Sequence, residues 1–434
     1  MANIGENFPQ SRQARREKLL EIKRNSEAIS TVKVPGHGLL NVYRIPLECL
    51  SYNPYNTRFL AQAKTLERRI GRKLRDDDAE DVAKIEDFIW NEKRDKNEST
   101  IESLLKNGQL QPGVVTIEGV ILSGNRRFRL INEISRNPSK YSNNTTSIDN
   151  LRYFEAAILD DSLSEKDIVR YEAFYQYGVE DKTDYDPIQK YIAAAEQKNL
   201  GFDEQEIADN FATMTDGNKK TVVKWLEVYA LMEEYLTYIG EPGIYTALEG
   251  KEEAFLELRT TFNSFNNGRA GTGVMWAYDE NDLADLKMRF FDYIRTDMPT
   301  HNFRIFKSVF QNKAEWDKFN GRVETQTQTS NVKSFDEYRK DYNDTDEGNL
   351  SKIRGRDFKE KNSKALGSIY KEVNAAYAEK ELEATPIKVT SSIIDKIEKL
   401  QAMVEDNKKY DDAFLQNLNT IQEKIEEIKQ KIGK

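Results

Sequence analysis

Histidine and cysteine are almost missing from this chain: its 434 residues include two histidines, His37 and His301, and one cysteine, Cys49. That stock cannot assemble a Cys/His zinc site, and it argues against a Ser-His-Asp or Cys-His catalytic machine. An internal disulfide is impossible with one thiol, which suits a reducing compartment. Cys49 alternates with apolar neighbours, so it is expected on a strand as a small core residue rather than as a reactive thiol. No stretch of about 18 apolar residues occurs and the start lacks a hydrophobic signal core, so neither a membrane span nor a secretory leader is expected. A cytoplasmic chain would make no use of the sequons at Asn143 and Asn144. An excess of positive charge is missing too: 65 Lys and Arg stand against 74 Asp and Glu, a net of −9, which argues against nonspecific coating of nucleic acid but leaves room for a local basic site. The glycines form no strand-linked Gly-x-Gly-x-x-Gly and no Walker loop. Gly268-Arg-Ala-Gly-Thr-Gly273 lacks the lysine and the preceding strand of a phosphate loop, and reads as an exposed loop from which Arg269 could touch DNA.

The most informative stretch present is Gly108 to Ile131. Val114 to Ile117 and Val120 to Leu122 are short β-branched runs around Glu118-Gly119, the pattern of a hairpin. Ser123-Gly124 ends the second strand, and from Asn125 the pattern turns helical, with Phe128, Ile131 and Ile134 on one face. Asn125 is the expected N-cap, with Arg126 and Arg127 in the first turn and Arg129 just beyond. Arginine at a helix start opposes the helix dipole unless an anion lies beside it, so the turn suits phosphate; a solvated helix start is the competing reading.

Taken in order, Ile45-Pro-Leu-Glu-Cys-Leu-Ser-Tyr-Asn-Pro-Tyr-Asn-Thr-Arg58, Gly108-Gln-Leu-Gln-Pro112 and Gly124-Asn-Arg-Arg-Phe-Arg129 resemble the boxes of the ParB/sulfiredoxin-like domain. A helix-turn-helix follows that domain in ParB-type proteins. Here Phe202 to Ala212 is similar to its first helix and Asn218 to Leu231 to its recognition helix. The resemblance covers roughly residues 40 to 240. It implies an α+β domain that holds a nucleoside triphosphate, typically CTP with Mg2+, on Gly124, Asn125, Arg126, Arg127 and Arg129, with Gly108, Gln109 and Pro112 shaping the facing loop. Arg58 would be a further phosphate or DNA contact. It also implies duplex DNA as partner, met by Asn218, Lys219, Lys220, Thr221 and Lys224, with Val222, Val223, Leu226 and Val228 packing the helix behind them. The acidic Asp203, Glu204, Glu206 and Asp209 of the first helix must then face away from the backbone.

The chain departs from the family pattern at three places. Asn125 stands where the family's Gly-Glu-Arg-Arg turn has its acidic residue and where sulfiredoxin chemistry needs a cysteine, which argues against that activity. The Glu-Asn-x-x-Arg motif is reduced to Glu172 in Tyr171-Glu-Ala-Phe-Tyr-Gln176, the best candidate for a catalytic glutamate. Inserted sequence, charged and helical, occupies about 60–98, and Asn137 to Asn150 forms a polar loop before a strand at Tyr153 to Leu159.

The expected organisation is a basic N-terminal arm over 1–39, a ParB/sulfiredoxin-like domain over 40–165 and a helical helix-turn-helix domain over 166–240. Beyond the break Gly240-Glu-Pro-Gly243 come an aromatic-rich helical domain over 241–322, a linker over 323–350, and a helical segment over 351–434 ending in a coiled coil. The aromatics of 251–320 are expected to form a core rather than a base-stacking surface. Ile393, Ile397, Leu400 and Val404, then Phe414, Leu418, Ile421, Ile425, Ile428 and Ile432, form a heptad seam interrupted by the polar stretch Glu405 to Asp412. The seam closes either an internal hairpin or, as the resemblance favours, a homodimer.

The functional expectation is a cytoplasmic, nucleotide-regulated DNA-binding protein serving a mobile element or phage in partition, regulation or defence. Two alternatives stay open. One is a nuclease or nucleotide-dependent phosphotransferase on the same scaffold, drawing on Glu118, Glu155, Asp160 or Glu172. The other is a nucleotide-free adaptor that recruits a partner through its helical C-terminal half.

Overall fold

The Ser11 hydroxyl accepts a hydrogen bond from the Ala14 amide and opens helix α1 (Arg12–Asn25), the first element of a computed structural model of the chain. The structure describes residues 10–141, 151–160, 162–178, 187–266, 273–274, 276–330, 332–343, 346–404 and 410–433, without the side chains of 178, 378–385, 388 and 392. The Gly268 to Gly273 loop with Arg269, most of the Asn137 to Asn150 loop with both sequons, and much of the Glu405 to Asp412 break lie outside the described residues.

The basic arm is a correction. Arg15 is entirely buried, donating to the Glu118 carbonyl (2.8 Å) and pairing with the buried Asp76. Arg12 shares Asp76, Arg16 meets Glu118 (3.1 Å), and Lys23 meets Asp160. With most of its cations paired, α1 turns Leu19 into the core.

After α1 come β1 (Ser30–Val34), β2 (Gly38–Pro46), α2 (Leu60–Ile70), α3 (Ala79–Glu92), α4 (Asn97–Asn107), β3 (Gly113–Val115), β4 (Ile121–Ser123), α5 (Asn125–Arg136), α6 (Pro138–Tyr141) and β5 (Tyr153–Ile158). The strands form one five-stranded sheet in the order β1-β2-β5-β3-β4. It is antiparallel except where β3 runs parallel to β5, with Val42 and Val114 flanking Ala157 from either side. The expected hairpin is β3–β4, its turn closed by the Gly119 amide on the Thr116 carbonyl (2.9 Å). Alternation sends Tyr43, Ile45, Phe154 and Ala156 to one apolar cluster, shared with Ile85 and Ile89 of α3 and Phe128 and Ile131 of α5. Val34, Val114 and Ala157 face the other side, against Ile168. The 60–98 segment is therefore part of the core. Cys49 is buried as expected but lies in a short 3-10 turn, Leu47–Cys49, not on a strand, and burial pushes its thiol up to about 11.

The rest is helical: α7 (Glu165–Ala173) running into one π-turn (Phe174–Gly178), α8 (Ile188–Asn199), α9 (Glu204–Asn210), α10 (Ala212–Thr215), α11 (Lys219–Tyr238), α12 (Glu252–Asn266), α13 (Glu280–Arg295), α14 (Arg304–Phe310), α15 (Lys313–Thr329), α16 (Phe335–Tyr342), α17 (Glu347–Met403) and α18 (Asp412–Lys431). The chain is thus mixed α/β, with a small sheet near the N-terminus followed by helices. The aromatic segment is a core: Phe290 stacks on Phe303 and Phe306, and Phe310 packs edge-on against Trp316. The expected linker is a second correction. α15 and α16 occupy most of it, and Phe335 and Tyr338 pack with Ile244 and Leu350 in a small apolar cluster. Residues 1–369 form one compact unit and 370–434 another. Among the described residues no helix is long and apolar enough to cross a membrane.

Candidate phosphate turn and DNA-binding helix

Gly124 precedes α5 in the left-handed conformation (φ 104°) and supplies no side chain to cap the first amides. A Cβ at Gly124 would lie 2.8 Å from the Phe154 ring, so the backbone must be bare here. The first turn carries Arg126 and Arg127 and no acidic residue. Asn125, the expected cap, is instead the first residue of the helix. Buried, it accepts from the Asn53 amide (3.0 Å) and donates to the Ile121 carbonyl (2.9 Å).

The three arginines diverge. Arg126 donates to Asn97 Oδ1 (3.2 Å), while its buried Nε has no acceptor among the described residues. Burial pushes its pKa down, opposed by the charge of Glu92 and reinforced by that of Arg58. Arg127 donates to the Gln111 carbonyl and so joins the turn to the 108–112 loop. Arg129, one turn further along, pairs with Glu133 (3.2 Å) and lies over the Trp90 ring (4.8 Å), leaving Arg126 and Arg127 as the pair at the helix start. In the facing loop Gly108 closes α4 with φ 69°, and Pro112 leads into β3. Gln109 is a strand mimic: its amide donates to the Glu155 carbonyl (2.7 Å) and accepts from the Glu155 amide (2.9 Å).

Glu172 is fully buried at the end of α7, where Asn53 Nδ2 (2.9 Å) and the Thr57 amide (3.1 Å) donate to its two oxygens. Burial raises its pKa to about 7 against the pull of those bonds. One turn on, Gln176 accepts from Arg58 Nε (3.0 Å), and Arg58 lies 3.6 Å from Glu92. Three segments far apart in sequence, 53–58, 125–126 and 172–176, therefore meet at one junction. Arg58 is half-buried at that junction. Thr57, Glu92 and Asn97 escaped the sequence reading. Thr57 at least lay inside a box, whereas Glu92 and Asn97 belong to the inserted helices and carry no local signal.

With both oxygens taken, Glu172 as placed does not fit a magnesium ligand. Among the described residues no group of three His, Cys, Asp or Glu is placed to hold a metal ion. The other carboxylates of the enzyme reading are scattered: Glu118 meets Arg16, Asp160 meets Lys23, and Glu155 meets Arg44 (3.3 Å).

Around Trp225, Phe211 and Tyr191 pack edge-on and tie α8, α9 and α11 together. Gln205 of α9 donates to the Gly217 carbonyl (2.9 Å) and fixes the turn before α11. Asn218 caps α11, accepting from the Lys220 amide (3.0 Å), and Thr221 is half-buried. Lys219, Lys220 and Lys224 are exposed and make no ion pair among the described residues. Val222 and Val228 pack inward as expected and Leu226 is half-buried, but Val223 is 42% exposed and shares the lysine face. The carboxylates of α9 are engaged locally. Asp203 caps the helix, Glu206 answers the Asp203 amide (2.9 Å), and Glu204 pairs with Lys198 (2.7 Å). Compared with known proteins, the chain matches no family model, no curated protein and no solved structure.

Proposed function

We propose that this chain binds duplex DNA under the control of a nucleotide, with phosphates held at the start of α5 and DNA met by the start of α11. The observation that carries the reading is the α5 turn: two arginines at the uncapped, positive end of a helix, one with a buried N–H that lacks an acceptor among the described residues. Each is unfavourable alone, and a phosphate relieves both. The order of the three boxes supports the finer reading, a ParB-like domain taking a nucleoside triphosphate, CTP by resemblance. Magnesium would then arrive with the nucleotide rather than on Glu172. Lys219, Lys220 and Lys224 supply unpaired charge for phosphates of the duplex, and the C-terminal seam supplies a homodimer contact. Such a protein would serve partition, regulation or defence of a mobile element or phage. A nuclease or phosphotransferase is less well supported, because Glu172 is sealed by its donors.

Calorimetric titration with CTP, ATP and GTP in magnesium, with and without duplex DNA, tests the reading. One nucleotide should bind, and Arg126→Ala should weaken it by roughly tenfold or more, the worth of one charge-assisted hydrogen bond, with little change in melting temperature. Binding of no nucleotide would remove the phosphate turn from the reading and leave the DNA site to stand alone.

A further inference from the structure

A cavity of about 370 Å³ opens between the end of α11, the turn Tyr245–Leu248, the end of α13 and the first turns of α17, all within residues 1–369. Five basic side chains, Lys251, Arg295, Lys352, Arg356 and Lys359, line it with three carboxylates, Glu241, Glu249 and Asp297. Asp297 is shared by Lys251 (2.8 Å) and Lys359 (2.9 Å), Glu249 takes Lys352 (3.3 Å), and Glu241 is engaged by Arg354 (2.7 Å), which is not part of the lining. Arg295 and Arg356 form no ion pair and no hydrogen bond among the described residues, although the charge of the buried Asp292 acts on Arg295 and Arg356 is exposed. Arg295 is half-buried and lies flat on Phe358, 3.4 Å from its ring centre, which strips water from the cation without meeting its N–H groups. The Thr246 hydroxyl in the same wall is buried and has no hydrogen-bond partner among the described residues. Gly355 lines the cavity from inside α17, where glycine weakens a helix, and a Cβ there would meet nothing within 4 Å.

We infer that this cavity binds a phosphorylated small molecule, its phosphoryl group held by Arg295, Arg356 and the Thr246 hydroxyl. A surplus of cations in a chain of net charge −9 selects a multiply charged anion. Guanidinium forks match phosphate oxygens, and a partly enclosed volume of this size admits a metabolite rather than a duplex. The site is separate from the α5 turn and does not rest on it.

Inorganic pyrophosphate, titrated calorimetrically into the full chain at low ionic strength, is the probe. One site is expected, weakened roughly tenfold or more in Arg356→Gln, the loss of one charge-assisted contact. Gly355→Leu, which fills the cavity without altering charge, should abolish binding while leaving the melting temperature unchanged or higher. Arg126→Ala at the α5 turn should leave it intact. No binding to the wild-type chain, or binding indifferent to Gly355→Leu and Arg356→Gln, overturns the proposal. So does loss of binding in Arg126→Ala, which would assign the pyrophosphate to the other turn. Displacement of pyrophosphate by a short DNA duplex would make the cavity part of a DNA surface and would likewise overturn it.

Discussion

Glu172 carries its carboxyl to a place without solvent contact, and two protein donors do not fully replace the lost water. Its folded pKa of about 7 lies above the ordinary 4.5. Between those values the folded chain holds a proton that the unfolded chain has released, so stability falls as pH rises from about 4.5 to about 7 and then levels off. A gap of that size is worth roughly 3 kcal/mol. Glu172→Gln is neutral in both states and should remove this slope: the drop in melting temperature between about pH 5 and pH 8 should shrink relative to the wild type. An unchanged drop would mean that the carboxyl is not held as described. The Asn53 and Thr57 bonds make Glu172 the tie between the 53–58 segment and α7. The variant should therefore also loosen the junction beside Arg126, visible as faster amide exchange at Thr57.

At the scale of elements, the start of α11 decides whether the helical pair is a DNA reader or a structural pair. Its lysines are exposed and make no ion pair or hydrogen bond through their side chains among the described residues, so replacing them costs the fold little. Each phosphate neutralised contributes about 0.9 to the slope of log affinity against log salt. A Lys219→Gln, Lys220→Gln, Lys224→Gln chain should therefore flatten that slope by roughly 2 to 3 with its melting temperature preserved. A slope and affinity like those of the wild type would remove α11 from the DNA surface. What was legible in the sequence follows the same scale. The β3–β4 hairpin, the α5 turn and the aromatic core declared themselves through local periodicity and turn residues. The N-terminal helix did not, because the carboxylates that neutralise Arg12, Arg16 and Lys23 lie 64, 102 and 137 residues away. The 323–350 stretch misled by composition. Thr325 and Thr329 bond back to the carbonyls of Gly321 and Thr325 (2.7 and 2.8 Å) inside α15, and the buried Val323 holds that helix down. Tertiary contacts outweighed weak helix propensity there.

For the whole molecule, the open matter is what covers the C-terminal seam. In the 370–434 unit it is bare along much of both helices: Ile393 is 41% exposed, Ile421 41% and Ile425 38%, and α18 buries nothing. A second copy of the chain brings the same stripe and would cover these residues. The residue types bear on the geometry. Ile421, Ile425, Ile428 and Ile432 place isoleucine at both core positions of the heptad, which disfavours a parallel two-stranded coil and suits more strands. Each chain offers two stripes, one on α17 and one on α18, so a homodimer can bring four together and satisfy both requirements. A dimer is therefore expected in sedimentation equilibrium at micromolar concentration. Ile397→Asp on α17 and Ile421→Asp on α18 should each yield monomers, since either charge would lie in the shared core. Dissociation by Ile421→Asp alone would assign assembly to α18 alone, and a trimer would then be the expected mass. A wild-type chain that stays monomeric at tens of micromolar would remove self-association, and with it the homodimer contact proposed for the seam.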